Sequence, residues 1–252
     1  MPVAGCQSTL AVVELGRVGY AEATALQAKL VGRRQAGEIG DVLLLLEHPP
    51  VITLGRNAKP EHVLRSPEAL AAEGVELAEC DRGGDVTFHG PGQIVGYPIF
   101  DLRACPRPAC LPPRTGRLEL GPVDFVRALE EVLIRTAASC GVPAQRIPGL
   151  TGVWTTTEPA RKFAAIGIHV ARGVTSHGFA LNVNPDLAAF DAIVPCGLHG
   201  RQVTSLAREA ATPWDPAAVL PRLRREFLDV FHRQLAEMPL LWDDELLHQT
   251  QP

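Results

Sequence analysis

Cys196 stands in the stretch AIVPCGLHG, held between Pro195 and Gly197. A cysteine that serves as a small core hydrophobe has apolar neighbours in a strand or helix. A proline–glycine turn can instead lift the sulfur into a cavity, where the thiolate is a nucleophile. Three other stretches carry groups suited to chemistry. DRGGDVTFHGPGQ (81–93) crowds four glycines, a proline, an arginine and a histidine into thirteen positions. Gly83 and Gly84 can take positive φ and admit a ligand close to the backbone. Arg82 offers a fork of donors to a carboxylate or phosphate, and Thr87, His89 and Gln93 add polar groups. The competing reading is a glycine-rich hairpin whose histidine is satisfied by backbone. Neither GxGxxG nor P-loop spacing occurs there, so nucleotide binding has no motif behind it.

In RKFAAIGIH (161–169), Lys162 opens a strand that carries the small residues Ala165 and Gly167. Room beside a lysine suggests a pocket; the plainer reading is a strand-end ammonium in water. In TSHGFALNVN (175–184), His177–Gly178 implies close backbone approach within a strand, or a bulge with a buried, hydrogen-bonded histidine. Lysine itself is scarce. Of 24 basic residues only Lys29, Lys59 and Lys162 are not arginine, so each invites a reason.

The elements that position these stretches are legible in outline. Residues 20–36 place Ala25, Leu26 and Leu30 at helical spacing and stop at Gly37. Val42–Leu46 reads as a buried strand, followed after Pro49–Pro50 by a second at Val51–Leu54. SPEALAAEG offers Ser66 as a helix cap and Pro67 as the first helical residue. VELAEC and QIVGYPIF are strand candidates. The 104–121 segment, with four prolines and two glycines, reads as a mobile loop excursion. Helices follow at 122–139 and about 216–237, the latter with Val219, Leu223, Phe227, Val230 and Leu235 as its apolar stripe and Pro221 marking a bend or late start. KFAAIGIHV and VTSHGFALNVN form two strands joined at Gly173. The mixture predicts an α/β (α+β) fold, a single domain over 1–252 with a mixed sheet flanked by helices.

Composition narrows the function. A net charge of −4 and an isoelectric point near 6.1 do not fit general nucleic-acid binding, which leaves a basic footprint. No apolar run approaches the roughly 20 residues that span a bilayer. The N-terminus lacks the pattern of a signal peptide, which places the protein in the cytoplasm. Six scattered cysteines form no CxxC, so no structural metal is expected.

Taken in order, the RGG…TFHGPGQ loop, Gly152–Trp154, Lys162–Ile168, His177–Asn184 and Pro195–Gly197 resemble the LipB-type octanoyltransferase family over roughly residues 10–207. The resemblance implies the catalytic-domain fold of biotin/lipoate protein ligases. It implies transfer of octanoyl from octanoyl-acyl carrier protein to a lysine of lipoyl domains, those of 2-oxoacid dehydrogenase complexes and the glycine cleavage H protein. Cys196 matches the acyl-carrying cysteine and Lys162 the lysine paired with it. The segments lining the acyl and carrier site match Arg82, Gly83, Gly84, Asp85, Val86, Thr87, Phe88 and His89, then Ala165, Ile166 and Gly167, then His177, Gly178, Phe179 and Ala180. No cofactor, metal, nucleic acid or membrane is implied.

The chemistry suits those groups. Thioester exchange is near thermoneutral and thioester to amide runs downhill, so no ATP is needed. A free cysteine is only a few per cent thiolate at pH 7, and a cationic lysine favours the ionised form by about 1.4 kcal/mol per pKa unit gained. A desolvated lysine can also take and return the proton, which arginine cannot. Two other readings stand beside this one. An ATP-dependent lipoate or biotin ligase would use Lys162 without Cys196. A Cys–His hydrolase, with His199 as the tempting partner, or an inactive lipoyl-domain binder would need no lysine chemistry.

Overall fold

Strand β2 (Asp41–Glu47) carries five consecutive apolar residues, Val42–Leu46, and all are buried. A run without polar alternation signals a strand covered on both faces. Leu43 and Leu45 pack with helices α3 (Pro122–Ser139) and α5 (Pro216–Val230) on one face; Val42, Leu44 and Leu46 pack against α1 (Tyr20–Gln35) on the other. The computed structural model describes residues 9–112, 120–194 and 202–236.

Around β2 an eight-stranded mixed sheet is built in the order β11-β1-β2-β6-β10-β9-β8-β7. The further strands are β1 (Thr9–Arg17), β6 (Gln93–Ile99), β7 (Ala144–Ile147), β8 (Leu150–Thr155), β9 (Lys162–Ala171), β10 (Val174–Asn182) and β11 (Gln234–Leu235). β1 pairs in parallel with β2 and β11, and the other pairings are antiparallel. A separate three-stranded sheet, β4-β3-β5, holds β3 (Val51–Leu54), β4 (Glu76–Glu79) and β5 (Val86–His89). Two short helices, α2 (Pro67–Ala72) and α4 (Leu206–Ala210), begin at Ser66 and Ser205, whose hydroxyls accept from the third residue on. The expected mixed α/β domain is present, with β5 arising inside the stretch that reads as a glycine-rich loop.

Three local expectations need correction. In α1 it is Ala23, not Ala25, that joins Leu26 and Leu30 in the core. α5 ends at Val230 because His232 turns the chain at φ +49°, and Leu235 then sits half exposed in β11. The described part of the proline-rich segment is packed rather than free: Cys105 and Leu111, with Leu120 on its far side, enter the main core, and Arg107 pairs with Asp124 of α3.

A buried clasp ties the two ends together. Asp41, first residue of β2, accepts from Arg34 Nε at 2.9 Å, Arg233 Nη2 at 2.7 Å and the Asp101 amide at 3.1 Å. Among the described residues no helix is long and apolar enough to cross a membrane.

Candidate active site

On the α1 side of the large sheet, β9 and β10 contribute small residues in register, continued by a valine of β6. Ala165 of β9 pairs with Ala180 of β10, which pairs with Val95 of β6; Gly167 likewise pairs with Gly178. Gly178 cannot be larger: a Cβ there would stand 2.1 Å from the Gly96 carbonyl oxygen. The result is a trough, and the space above it is a cavity of about 450 Å³, within the range of small-molecule sites.

Lys162 reaches this trough through an irregularity. Val153 pairs with Ala164, whereas Trp154 pairs with Lys162, so β9 carries one extra residue, Phe163. Phe163 and Ala164 both face the α3 core, and the side-chain alternation is reset before them. Without the bulge, Lys162 would share the face of Ala164; with it, Lys162 lines the cavity with Ala165 and Gly167. The residue is only 7 % exposed, which rejects the solvated strand-end reading. Its ammonium lies 5.3 Å from the centre of the Trp154 ring. Gly152 leaves the space for it, at φ +115°, and the Gly152 amide donates to Glu130 of α3 at 3.1 Å.

The roof is the Arg82–Asp85 loop. Gly84 takes φ +92°, while Gly83 does not enter the left-handed region; its amide donates to the Ile168 carbonyl at 2.9 Å and stitches the loop to β9. Arg82 is buried, and its hydrogen bonds go to uncharged oxygens: Nη2 to Thr53 O at 2.7 Å and Oγ1 at 2.8 Å, Nη1 to Gly83 O at 3.2 Å. Asp85 accepts from His62 Nδ1 at 2.6 Å. His177, at φ +55°, donates from Nε2 to Asp81 at 2.7 Å and from its amide to Gln27 at 2.7 Å. The residue is therefore buried and bonded, beside a glycine that permits close approach, but no bulge interrupts the register of β10 with β9 there.

A buried polar chain crosses from roof to floor. His89 Nδ1 donates to Gln93 Oε1 at 2.7 Å, Gln93 Nε2 to Asn182 Oδ1 at 2.8 Å, and Asn182 Nδ2 to the Thr204 carbonyl at 3.0 Å. Burial, assisted by His48, pushes His89 down to about 3, so it is the neutral ring that bonds Gln93. His48 is lowered by burial too; its Nδ1 donates to the Val18 carbonyl, leaving Nε2 to accept from Tyr97 at 2.7 Å. Tyr20 closes this end, stacked on His89 and edge-on to His48.

Of the residues expected from sequence, Arg82, Gly84, Asp85, Thr87, His89, Lys162, Ala165, Ile166, Gly167, His177, Gly178, Phe179 and Ala180 line this one cavity. Gly83, Val86 and Phe88 do not; Val86 and Phe88 pack beneath the small sheet. Cys196 and His199 lie outside the described residues. Both flanks of their segment are bound to site elements. The Val194 amide donates to the carbonyl of His62, the residue that holds Asp85; on the other side Lys162 N donates to Gln202 O and Thr204 N to Lys162 O, each at 2.9 Å. Sequence reasoning missed Tyr20, Asn57, Val95, Tyr97 and Gly149–Thr151 as lining groups. Tyr20 opens a helix, a position with no motif to mark it.

The fold is that of lipoate protein ligases: the bipartite lipoate protein ligase of Thermoplasma acidophilum superposes with a TM-score of 0.68 at 14% identity, over 91% of this chain and 86% of that one. Residues 19–228 match the model of the lipoyl protein ligase A/B catalytic domain, and the chain belongs to that family. An octanoyltransferase of Koribacter versatilis is 52% identical over 235 residues, 93% of this chain and 87% of the relative. Another, of Acidobacterium capsulatum, is 52% identical over 90% of this chain and 92% of its own length.

Proposed function

We propose that this chain is an acyltransferase that moves octanoyl from octanoyl-acyl carrier protein to a lysine of lipoyl domains, through a thioester on Cys196. Octanoyltransferase is the name carried by relatives half identical across nine-tenths of the chain. The observation that supports the reading most is the buried Lys162 ammonium at the end of a trough floored by Ala165, Ala180 and Val95. A charged head beside an apolar channel suits a thioester carbonyl with a hydrocarbon tail.

In the first step the Cys196 thiolate attacks the donor carbonyl; a C–S bond forms to Cys196, the bond to the carrier sulfur breaks, and the leaving thiolate takes a proton. In the second the acceptor amine attacks the enzyme thioester, the amide forms, and Cys196 leaves as thiolate while the amine gives up a proton. Lys162 as ammonium favours the thiolate and donates to the departing carrier sulfur; as amine it takes the acceptor's proton. The anchored flanks at Val194 and Gln202 support bringing the cysteine segment to this lysine. Partners of this kind are a carrier protein and a lipoyl domain.

Intact mass after incubation with octanoyl-acyl carrier protein tests the reading. One octanoyl adduct is expected, absent in Cys196→Ser and discharged by a lipoyl domain. An adduct that persists in the variant removes Cys196, and lipoate-dependent pyrophosphate exchange would establish a ligase instead.

A further inference from the structure

The cavity has a definite length. Strands lie about 4.8 Å apart, so the row from Ala165 on β9 through Ala180 to Val95 on β6 is roughly 10 Å long. Three bonds of extended backbone span about 3.5 Å, so the seven C–C bonds of an octanoyl chain span roughly 8 Å. At one end stands Lys162, its amine over Gly152, which the antiparallel register of Val153 with Ala164 places opposite Ala165. At the other stands Tyr20, the cavity's one lining residue from α1. Its ring is held parallel to His89, 6.5 Å between centres, and edge-on to His48 at 5.4 Å. Those rings are fixed in turn, His89 by Gln93 of β6 and His48 by Tyr97 of β6. The Tyr20 hydroxyl is buried beside Cys80 and Thr24, and the two histidine rings fix the orientation of its ring.

We propose that Tyr20 is the stop that sets acyl-chain length: the hydrocarbon lies along Ala165–Ala180–Val95 and its methyl end meets the Tyr20 ring. The assignment rests on the octanoyl-transfer reading above. Removing the ring lengthens the trough, and a bulkier residue at its midpoint, Ala180, shortens it. Each methylene that gains or loses burial changes preference roughly fourfold, the factor for about 0.8 kcal/mol at 1.4 kcal/mol per decade.

The experiment is competition among hexanoyl-, octanoyl-, decanoyl- and dodecanoyl-carrier protein, read as the ratio of acyl-enzyme masses for wild type, Tyr20→Ala, Tyr20→Phe and Ala180→Leu. Tyr20→Ala is expected to raise the decanoyl and dodecanoyl share by tenfold or more over octanoyl, Ala180→Leu to shift it toward hexanoyl, and Tyr20→Phe to keep the wild-type ratio. If Tyr20→Ala does not fold, the Ala180→Leu shift decides. An octanoylated wild type whose ratio is unchanged in Tyr20→Ala, or changed as much by Tyr20→Phe, overturns Tyr20 as the stop and leaves octanoyl transfer standing. A wild type that takes no acyl group overturns both.

Discussion

The space that a side chain on Gly152 would fill is occupied by the end of Lys162: a Cβ there would stand 2.6 Å from Cε and 3.2 Å from Nζ. The glycine is also the residue that tolerates φ +115°. Gly152→Ala is therefore expected to displace the amine and to strain the backbone by about 1–3 kcal/mol. Octanoyl-adduct formation should fall at least tenfold in enzyme that remains folded, checked by mass spectrometry beside circular dichroism. An alanine variant with wild-type kinetics would show that the amine needs no such seat.

Lys162→Arg keeps a charge but loses the capacity to shed a proton, and its guanidinium is larger than the seat over Gly152. Acylation by octanoyl-carrier protein is expected to slow by about 10²–10⁴-fold. Lys162→Met should slow it as well. An arginine variant within threefold of wild type would reduce the lysine to a fixed positive charge.

The chain from His89 to Thr204 is buried throughout, so a missing member leaves partners unpaired. Asn182→Leu leaves unpaired the Thr204 carbonyl and one N–H of the Gln93 amide, whose other N–H still donates to the Phe88 carbonyl, at about 1–3 kcal/mol each. Gln93→Leu strands His89 and Asn182 in the same manner. The double variant is expected to cost clearly less than the sum of the two, because the shared bond is lost once. Urea unfolding of all four proteins measures this; strict additivity would mean the chain does not act as a unit.

His89 is neutral in the folded protein down to about pH 3, whereas in the unfolded chain it protonates near 6.5. Above 6.5 the two states bind the same number of protons and the residue has no effect on the pH slope. Below 6.5 the unfolded chain takes up a proton that the folded one refuses, so stability falls as pH falls, by about 1.4 kcal/mol per unit. His48 and His177 are lowered by burial in the same direction. The urea midpoint should drop between pH 7.5 and 5.0, and His89→Gln should lessen that drop by about 2 kcal/mol. An equal drop in the variant would mean that His89 is protonated in the fold.

How much of this was legible can be read residue by residue. The unbroken apolar run of β2 announced a strand covered on both faces, and Ala165 with Gly167 announced room. Ser66–Pro67 placed the start of α2 because capping is a local interaction. The face on which Lys162 lies was not legible. Simple alternation sets it opposite Ala165, and only the bulge at Phe163, fixed by the register with β8, turns it round. Tyr20 escaped for the same reason: its role comes from rings on β5 and after β2, far away in sequence. The proline-rich segment misled because prolines forbid regular structure without forbidding burial, and Cys105 and Leu111 are buried all the same.

The clasp at Asp41 has a consequence for handling the molecule. One carboxylate fastens residues 34, 101 and 233, so the last described turn of the chain is not trim. Removing it would abandon a buried anion whose two guanidinium partners become one, a loss of about 3–5 kcal/mol for a broken buried pair. A truncation that removes Arg233, or a tag that displaces it, is expected to lower the urea midpoint accordingly.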